Sequence, residues 1–276
     1  LEKLVLHNSE FSKNSSLQNL LVLTAITSAP QKVKAFLNRL DCYEGKDLAV
    51  KCLENNLFEE AFFIYDKIKD YPKAIEVVLK NMEDLKRATI YAERINTAEV
   101  WSKIGRAKLS YEIVDEAIDA FLKSNDAEVY VEVISLAERQ EKYEDLIKYL
   151  LMVREQKKDK LIDGELIFAY AKCDKLIEIE SFLSGTTSAE LGNVADRLFD
   201  QGNYKASKIL YESTGNNARL ASCLTHLKEF QKALLAAKKA NNPRCWKEVC
   251  FACVKGGEFR LAAQAGSNII IHPDTI

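Results

Sequence analysis

The feature that most constrains the fold of this chain is a short pattern that recurs along its 276 residues. In each occurrence a bulky apolar residue is followed three positions later by a small or aliphatic residue. The eight pairs are Phe58/Ala61, Leu85/Ala88, Val114/Ala117, Tyr143/Leu146, Leu176/Ile179, Tyr204/Ser207, Phe230/Ala233 and Phe259/Ala262. Successive pairs begin 27, 29, 29, 33, 28, 26 and 29 residues apart. This period suits two short helices joined by turns, in units that must stack on one another to bury their apolar faces.

Composition and periodicity favour helices throughout. Four prolines and ten glycines are few for a chain of this length, whereas an all-β or loop-rich protein needs many turn-forming residues. Apolar residues recur at helical spacing in segments such as 57–68 and 112–122. Pro30, Pro72 and Pro243 stand where the first turn of a helix tolerates proline. We therefore predict an all-α solenoid of short antiparallel helix hairpins.

Short polar segments mark the predicted connections, because Asn, Asp and Ser satisfy exposed backbone groups in turns and at helix N-termini. The predicted turns are Asn55-Asn56, Asn81, Asn96-Thr97, Ser124 to Asp126, Ser213 to Asn217 and Asn241-Asn242. The longest break, Ser184 to Ser188, is interpreted as a joint between blocks of repeats, and a looser segment spans Asn8 to Ser16. Neither has the composition of a flexible linker, so we expect no independently folding domains.

Charge and hydropathy exclude several classes of partner. The net charge of −2, from 39 basic and 41 acidic residues, provides no field for binding nucleic acid. The basic run of Arg154, Lys157, Lys158 and Lys160 is interpreted as a solvated helix end. The sequence has no apolar stretch of about 18 residues that could span a membrane. It begins with Leu1, has no leader pattern and stops without a capping unit, so we expect a piece of a longer array.

The seven cysteines are scattered without a framework spacing and indicate reduced, packed thiols. Cys250 and Cys253 form a C-x-x-C motif. A zinc site would need two further ligands, and a redox motif would lie at a helix N-terminus after a strand. We interpret both cysteines as packing residues, with a metal or redox role as the alternative.

No catalytic constellation is evident in the sequence. The three histidines, His7, His226 and His272, are far apart, and none stands in a nucleophile signature. Gly256-Gly257 lacks the pattern of a phosphate-binding loop and fits a turn that ends a helix. We expect no enzymatic activity, cofactor or metal. An enzyme that uses the C-x-x-C motif and His226 is the least supported alternative.

Trp101 and Trp246 occupy analogous positions, since each follows a short Asn-containing turn and opens a helix. They are 145 residues apart (246 − 101), which is about five of the small repeats. A larger repeat of this length would be superimposed on the small one. We interpret the tryptophans as filling equivalent gaps between helices, with a role in a partner-binding face as the alternative.

Several segments of this helical array resemble clathrin heavy chains. They are Phe36–Asp41, Asn56–Ala61, Ala92–Arg94, Asp115–Asp119, Glu165–Ala169, Trp246–Val254 and Glu258–Ala262. The resemblance covers essentially the whole chain and is to the leg around the knee and the start of its proximal segment. It implies a right-handed α-solenoid of the tetratricopeptide type. It also implies that residues 1–53 end one heavy-chain repeat, that residues 54–198 form a complete repeat and that residues 199–276 begin the next.

The resemblance implies a structural protein of the clathrin coat. In this family three heavy chains form a triskelion, and neighbouring legs pack into the polyhedral lattice of coated pits and vesicles in endocytosis and trans-Golgi sorting. The implied partners are other clathrin heavy chains and the clathrin light chain. The membrane is reached only through adaptors, on the cytosolic face of pits and vesicles at the plasma membrane, the trans-Golgi and endosomes.

Trp246, Lys247 and Lys255 are the candidate contacts for a light chain or a neighbouring leg, because the family's light chain lies as a long helix along the proximal leg. Related sequences have an Asp-Gly-Lys-Glu turn where this chain has Lys255-Gly-Gly-Glu258, so a basic residue expected at 257 is absent. The alternative function is a helical-repeat adaptor scaffold of another membrane-trafficking complex, although the strict ~34-residue period of tetratricopeptide arrays is not seen.

Overall fold

A computed structural model of the chain describes Val5, residues 13–185 and residues 187–270. His7, His272 and the first part of the segment Asn8–Ser16 lie outside these residues. All the regular structure that is described is helical, which confirms the all-α prediction. The chain divides into two compact units, Leu1–Asp126 and Ala127–Ile276. The predicted joint at Ser184–Ser188 lies inside the second unit.

The first unit contains eight α-helices in its described part. They are α1 (Ser15–Ser28), α2 (Val33–Arg39), α3 (Gly45–Glu54), α4 (Phe58–Lys67), α5 (Tyr71–Lys80), α6 (Leu85–Ile95), α7 (Ala98–Ser110) and α8 (Val114–Ser124), with a 3-10 turn at Pro30–Lys32. Helices α3–α4, α5–α6 and α7–α8 pack as hairpins. The first helix of one hairpin also packs on the first helix of the next, as α5 does on α7. Their apolar side chains form one continuous core.

The second unit repeats this arrangement in ten described α-helices. They are α9 (Tyr130–Arg139), α10 (Tyr143–Gln156), α11 (Lys160–Lys172), α12 (Leu176–Ser184), α13 (Leu191–Asp200), α14 (Tyr204–Thr214), α15 (Asn217–His226), α16 (Phe230–Ala240), α17 (Pro243–Lys255) and α18 (Phe259–Ile270). First helices stack on first helices (α11 on α13, α15 on α17), and second helices stack on second helices (α12 on α14, α16 on α18). This stacking is that of an α-solenoid, as predicted.

The recurring pair of the sequence marks the same place in every described hairpin from α3–α4 onward. In all eight pairs the bulky residue is the first residue of the second helix of the hairpin. The residue three positions later is at most 6% exposed in each case. Because this position faces the neighbouring helices, a small side chain there lets the helix backbones approach closely. The sequence pattern therefore identifies both where these helices begin and which face they bury.

A left-handed residue lies two positions before each of these second helices. The eight residues are Asn56, Glu83, Glu112, Glu141, Asp174, Gly202, Lys228 and Gly257, with φ between 54° and 78°. In seven of these eight described turns the next backbone N–H donates to the carbonyl five residues earlier, at 2.8 to 3.0 Å. This is the Schellman arrangement, which satisfies the last carbonyls of the preceding helix. The turn thereby sets the angle at which the hairpin closes.

The connections between hairpins follow the predicted Asn-rich turns. Asn96, Asn125 and Asn241 are left-handed residues that end α6, α8 and α16. The Asn242 side chain accepts from the N–H of Arg244 and caps α17. Proline stands in the first turn of α5 and of α17, as expected. These Asn residues therefore shape the connections by adopting a left-handed backbone conformation or by accepting a hydrogen bond from a backbone N–H.

Substitution of two glycines that are ten residues apart separates backbone strain from packing. A Cβ at Gly202 or at Gly192 would meet no atom within 4 Å, but only Gly202 has a positive φ, of 78°. Gly202→Ala should destabilise the second unit by about 1–2 kcal/mol, because a side chain is strained in that conformation. Gly192→Ala should stabilise it by about 0.4–1 kcal/mol, because it restricts the unfolded chain. Urea unfolding in a Trp101→Phe background would measure both, since Trp246 then reports on the second unit alone. Equal effects at the two positions would contradict this account.

Candidate functional site

Polar contacts between stacked hairpins occur at a spacing of one repeat. In the first unit Arg87 Nη2 donates to Glu59 Oε2 at 2.8 Å, 28 residues away. Four further contacts have the same character, each across 26 to 32 residues. They are Arg94 to Asp66, Lys103 to Glu76, Arg197 to Glu165, and Ser222 to Glu248. These pairs join equivalent helices of successive hairpins within each unit, so they select the register in which the hairpins stack.

Glu76 is the most strongly stabilised carboxylate of this series. It accepts hydrogen bonds from Lys80 on its own helix and from Lys103 Nζ on α7, the latter at 2.9 Å. These two hydrogen bonds lower the pKa of Glu76 to about 2, against the opposing effect of burial. The carboxylate therefore stays ionised through the neutral and mildly acidic range.

The two tryptophans lie in equivalent places. Trp101 and Trp246 are each the fourth residue of a 13-residue helix, and they are 3% and 2% exposed. Trp101 Nε1 donates to Asn96 Oδ1 at 2.9 Å. This geometry agrees with the interpretation that both rings fill gaps between helices. The Trp246 ring lies beneath the surface, which leaves Lys247 and Lys255 as the exposed members of the predicted contact set.

Lys247 and Lys255 belong to an exposed face of α17. They lie at positions i and i+8 of the helix, with Phe251 and Val254 at i+4 and i+7, and the four side chains therefore share one side. Phe251 is 68% exposed and Val254 is 48% exposed. The face thus combines an apolar centre with a lysine at each end. We call these four residues the α17 face.

A groove adjoins the α17 face. It has a volume of about 800 Å³ and is lined by Phe251 and Lys255 of α17, by His226 at the end of α15 and by Lys228 in the turn that follows. The carboxylate of Glu248 also reaches the groove, and it accepts a hydrogen bond from Ser222 Oγ at 2.7 Å. The exposed surface with basic and aromatic side chains therefore continues from α17 onto the end of α15 and the turn after it.

The C-x-x-C cysteines lie in the packing interface of α17. Cys253 is fully buried, and burial raises the pKa of its thiol. Cys250 Sγ lies 3.4 Å from the carbonyl oxygen of Ala262. His226 stacks on the ring of Tyr204, with 4.4 Å between the ring centroids. Within the described part of the chain, no group of three or more His, Cys, Asp or Glu side chains is arranged to hold a metal ion.

The basic run that spans the end of α10 and the start of α11 does not form a single patch. Arg154 Nε donates to the buried Asp163 carboxylate at 2.7 Å, and Lys160 pairs with Glu190 at 3.3 Å. Lys157 lies over the ring of Tyr130, 5.3 Å from its centroid. Asp163 also accepts from the backbone N–H of Ser188, which ties the predicted joint to α11. Arg154, Lys157 and Lys160 therefore make contacts within the local fold.

Comparison with known proteins identifies the family to which this array belongs. A family model described as "Clathrin: Region in Clathrin and VPS" matches residues 1–114 and 121–261. The chain belongs to the clathrin heavy-chain repeat family. Over all 276 residues it is 47% identical to the clathrin heavy chain of Dictyostelium discoideum, 44% to that of Drosophila melanogaster and 43% to clathrin heavy chain 2 of Homo sapiens.

The clathrin resemblance predicted from the sequence is thus confirmed. The chain spans only 16–17% of the length of these clathrin heavy chains. In the part of the chain that the structure describes, no helix is both long enough and apolar enough to cross a bilayer.

Two features of this clathrin repeat were not predicted from the sequence. The first is the exposure of Phe251 on the same side of α17 as Lys247 and Lys255. Its spacing of four residues from each lysine was a signal that could have indicated this. The second is the meeting of Glu138, Glu165 and Arg197 on three different helices. No local motif indicates the latter cluster, since its members are 27 and 32 residues apart in sequence.

Removing the Glu76 charge should weaken the stacking of α5 and α7. The side chains are about a third exposed, so we expect Glu76→Gln to destabilise the first unit by only about 0.5–1 kcal/mol at neutral pH and low salt. Because the pKa of Glu76 is depressed to about 2 in the folded chain, its contribution is complete above its unfolded pKa of about 4.3 and is lost as the pH falls towards 2. Urea unfolding of a Trp246→Phe background, followed at Trp101, checks this. Glu93→Gln on α6 is the exposed control and should change stability by less than about 0.5 kcal/mol.

Proposed function

We propose that this chain is a leg segment of a clathrin heavy chain, which packs against neighbouring legs to build the polyhedral lattice of coated pits and vesicles in endocytosis and trans-Golgi sorting. The observation that carries the proposal is membership of the family along nearly the whole chain. The stacked hairpins of each unit support it, because a solenoid exposes many side chains along its length and so makes many weak contacts at once.

The proposed role is structural and not enzymatic. Its partners are other clathrin heavy chains in the triskelion and lattice, and the clathrin light chain. The membrane is reached through adaptors, on the cytosolic face of pits and vesicles at the plasma membrane, the trans-Golgi and endosomes. The net charge of −2 favours no nucleic-acid partner. An adaptor scaffold of another trafficking complex is less favoured, because the relatives matched over the whole chain are clathrin heavy chains.

We also propose that residues 1–53, 54–198 and 199–276 correspond to the end, the whole and the first half of successive heavy-chain repeats. The equivalent burial of Trp101 and Trp246, 145 residues apart, supports a repeat of that length.

Reversal of several exposed charges should impair lattice assembly of the full-length heavy chain that carries this segment. Lys46, Lys86 and Lys205 are exposed, and Lys→Glu at all three should raise the critical concentration for cage assembly several-fold, because weak contacts act together. Each single change should have less than about a twofold effect. Sedimentation of assembled cages measures this, and Lys→Arg at the same positions is the matched control. Assembly at an unchanged concentration by the triple Lys→Glu chain would count against the proposal.

The α17 face is the proposed contact for an acidic light-chain helix. Phe251 and Val254 offer apolar surface to one side of such a helix, while Lys247 and Lys255 pair with its carboxylates. Trp246 supports this face from beneath by anchoring α17 in the core. Exposed pairs of this kind contribute about 0.2–1 kcal/mol each.

Charge reversal on the α17 face should weaken light-chain binding. In the full-length heavy chain, Lys247→Glu with Lys255→Glu should raise the Kd for the light chain about three- to tenfold at low salt, because two attractions become repulsions. The effect should decline as salt is added. Lys238→Glu with Lys239→Glu, two exposed lysines on the neighbouring α16, is the matched control and should bind nearly normally. Equal losses in both double variants would indicate a general charge effect and not a contact at this face.

A further inference from the structure

One guanidinium joins carboxylates from two different helices in the second unit. Arg197 Nη1, on α13, donates to Glu165 Oε1 of α11 at 2.8 Å, and Nη2 donates to Glu138 Oε1 of α9 at 2.7 Å. The guanidinium lies over the ring of Phe168, with its carbon 3.7 Å from the ring centroid. The Glu165 side chain is 12% exposed, against 26% for Glu138 and 38% for Arg197. Glu165 is therefore the most enclosed charge of the cluster.

The cluster carries a net charge of −1 when both carboxylates are ionised, because it has two carboxylates and one guanidinium. Burial raises the pKa of Glu165 to about 7, and its hydrogen bond and like charge with Glu138 act in the same direction, while Arg197 opposes them. A single proton makes the cluster neutral. It also turns one carboxyl group into a donor, which can hydrogen-bond to the other carboxylate.

The groups packed around the cluster do not compete for this proton. Tyr143 of α10 packs edge-on against Phe168, and burial, with the nearby charges of Glu138 and Glu141, raises the pKa of its hydroxyl. Burial also raises the pKa of the Cys173 thiol at the end of α11. Lys172 lies over the ring of Phe168, at 5.4 Å from its centroid. The tyrosine and the cysteine therefore stay neutral where the carboxylate pair changes charge.

We propose that Glu138, Glu165 and Arg197 form a proton-dependent clasp, in which one proton shared by the two carboxylates tightens the stacking of α9, α11 and α13. In the unfolded chain the pKa of Glu165 returns to about 4.3, so the folded unit holds the proton more strongly. The stabilising contribution is then complete below that value and is lost as the pH rises through about 7. The clasp thus makes the second unit more stable as the pH falls from about 8 to about 6.

Glu165→Gln tests the clasp, because its amide is neutral at every pH and can donate to Glu138 while accepting from Arg197. The comparison uses the whole chain in a Trp101→Phe background, with thermal unfolding followed at Trp246. At about pH 8 the Gln variant should unfold about 3 °C or more above the parent, and this difference should narrow to about half by about pH 5.5. A difference that stays constant across this range, or a Gln variant that is less stable throughout, overturns the proposal.

Two further variants keep the test decisive. Glu138→Gln removes the like charge and leaves Glu165 paired with Arg197, so the pH dependence should shrink even if Glu165→Gln packs poorly. Glu229→Gln is the matched control in the same unit. Hydrogen bonds from Lys232 and from Lys208 lower the pKa of Glu229, so its replacement should shift the midpoint by a constant amount between about pH 8 and about pH 6. If the midpoint difference between Glu229→Gln and the parent also narrowed as the pH falls, that result would overturn the proposal as well.

Discussion

The array depends on the close approach of helices at the fourth position of each hairpin's second helix. Ala or Ser occupies this position in six of the eight hairpins and Leu or Ile in the other two, and the residue is almost completely buried in all of them. Where the side chain is small, the backbones of stacked helices can approach closely. The left-handed turn two residues before the helix decides which way that position faces. A turn of the wrong geometry would rotate the helix and expose the stripe that its neighbours must cover. The packing contact therefore depends on the turn, and this combination occurs eight times in the described hairpins from α3–α4 onward.

Apolar stacking alone would tolerate a shift of one hairpin along the next, because a stripe of small residues offers several near-equivalent fits. The ion pairs and hydrogen bonds that span one repeat remove this ambiguity. Arg94 reaches Asp66, and Asn203 Nδ2 reaches the carbonyl of Ala171, only in one register. Such exposed or half-exposed pairs contribute little stability individually. Their value lies in specificity, since a shifted register would leave charges opposite apolar atoms.

Much of this fold was predictable because its signals are local. The eight apolar residues that open second helices, the Asn turns and the prolines of α5 and α17 all act within a few positions of themselves. The left-handed turns were harder to predict, because Glu83, Glu112, Glu141 and Lys228 adopt a conformation for which glycine is the usual signal. The clasp could not be predicted, because Glu138, Glu165 and Arg197 come together only when three hairpins stack. For the candidate surface, the sequence predicted Trp246, Lys247 and Lys255 as contacts; the two lysines are exposed and Trp246 is buried, in agreement with its interpretation as a residue that fills a gap between helices.

Core and surface functions are separated along α17. Cys245, Trp246, Val249 and Cys253 are buried and hold the helix in the array, whereas Lys247, Phe251, Val254 and Lys255 are exposed on another side. Residues of the second set can change without disturbing the first, so a solenoid can acquire or lose a partner while its stacking persists. The clasp is the opposite case, because its ionisable groups lie between stacked hairpins, where a change in proton concentration acts on the fold itself.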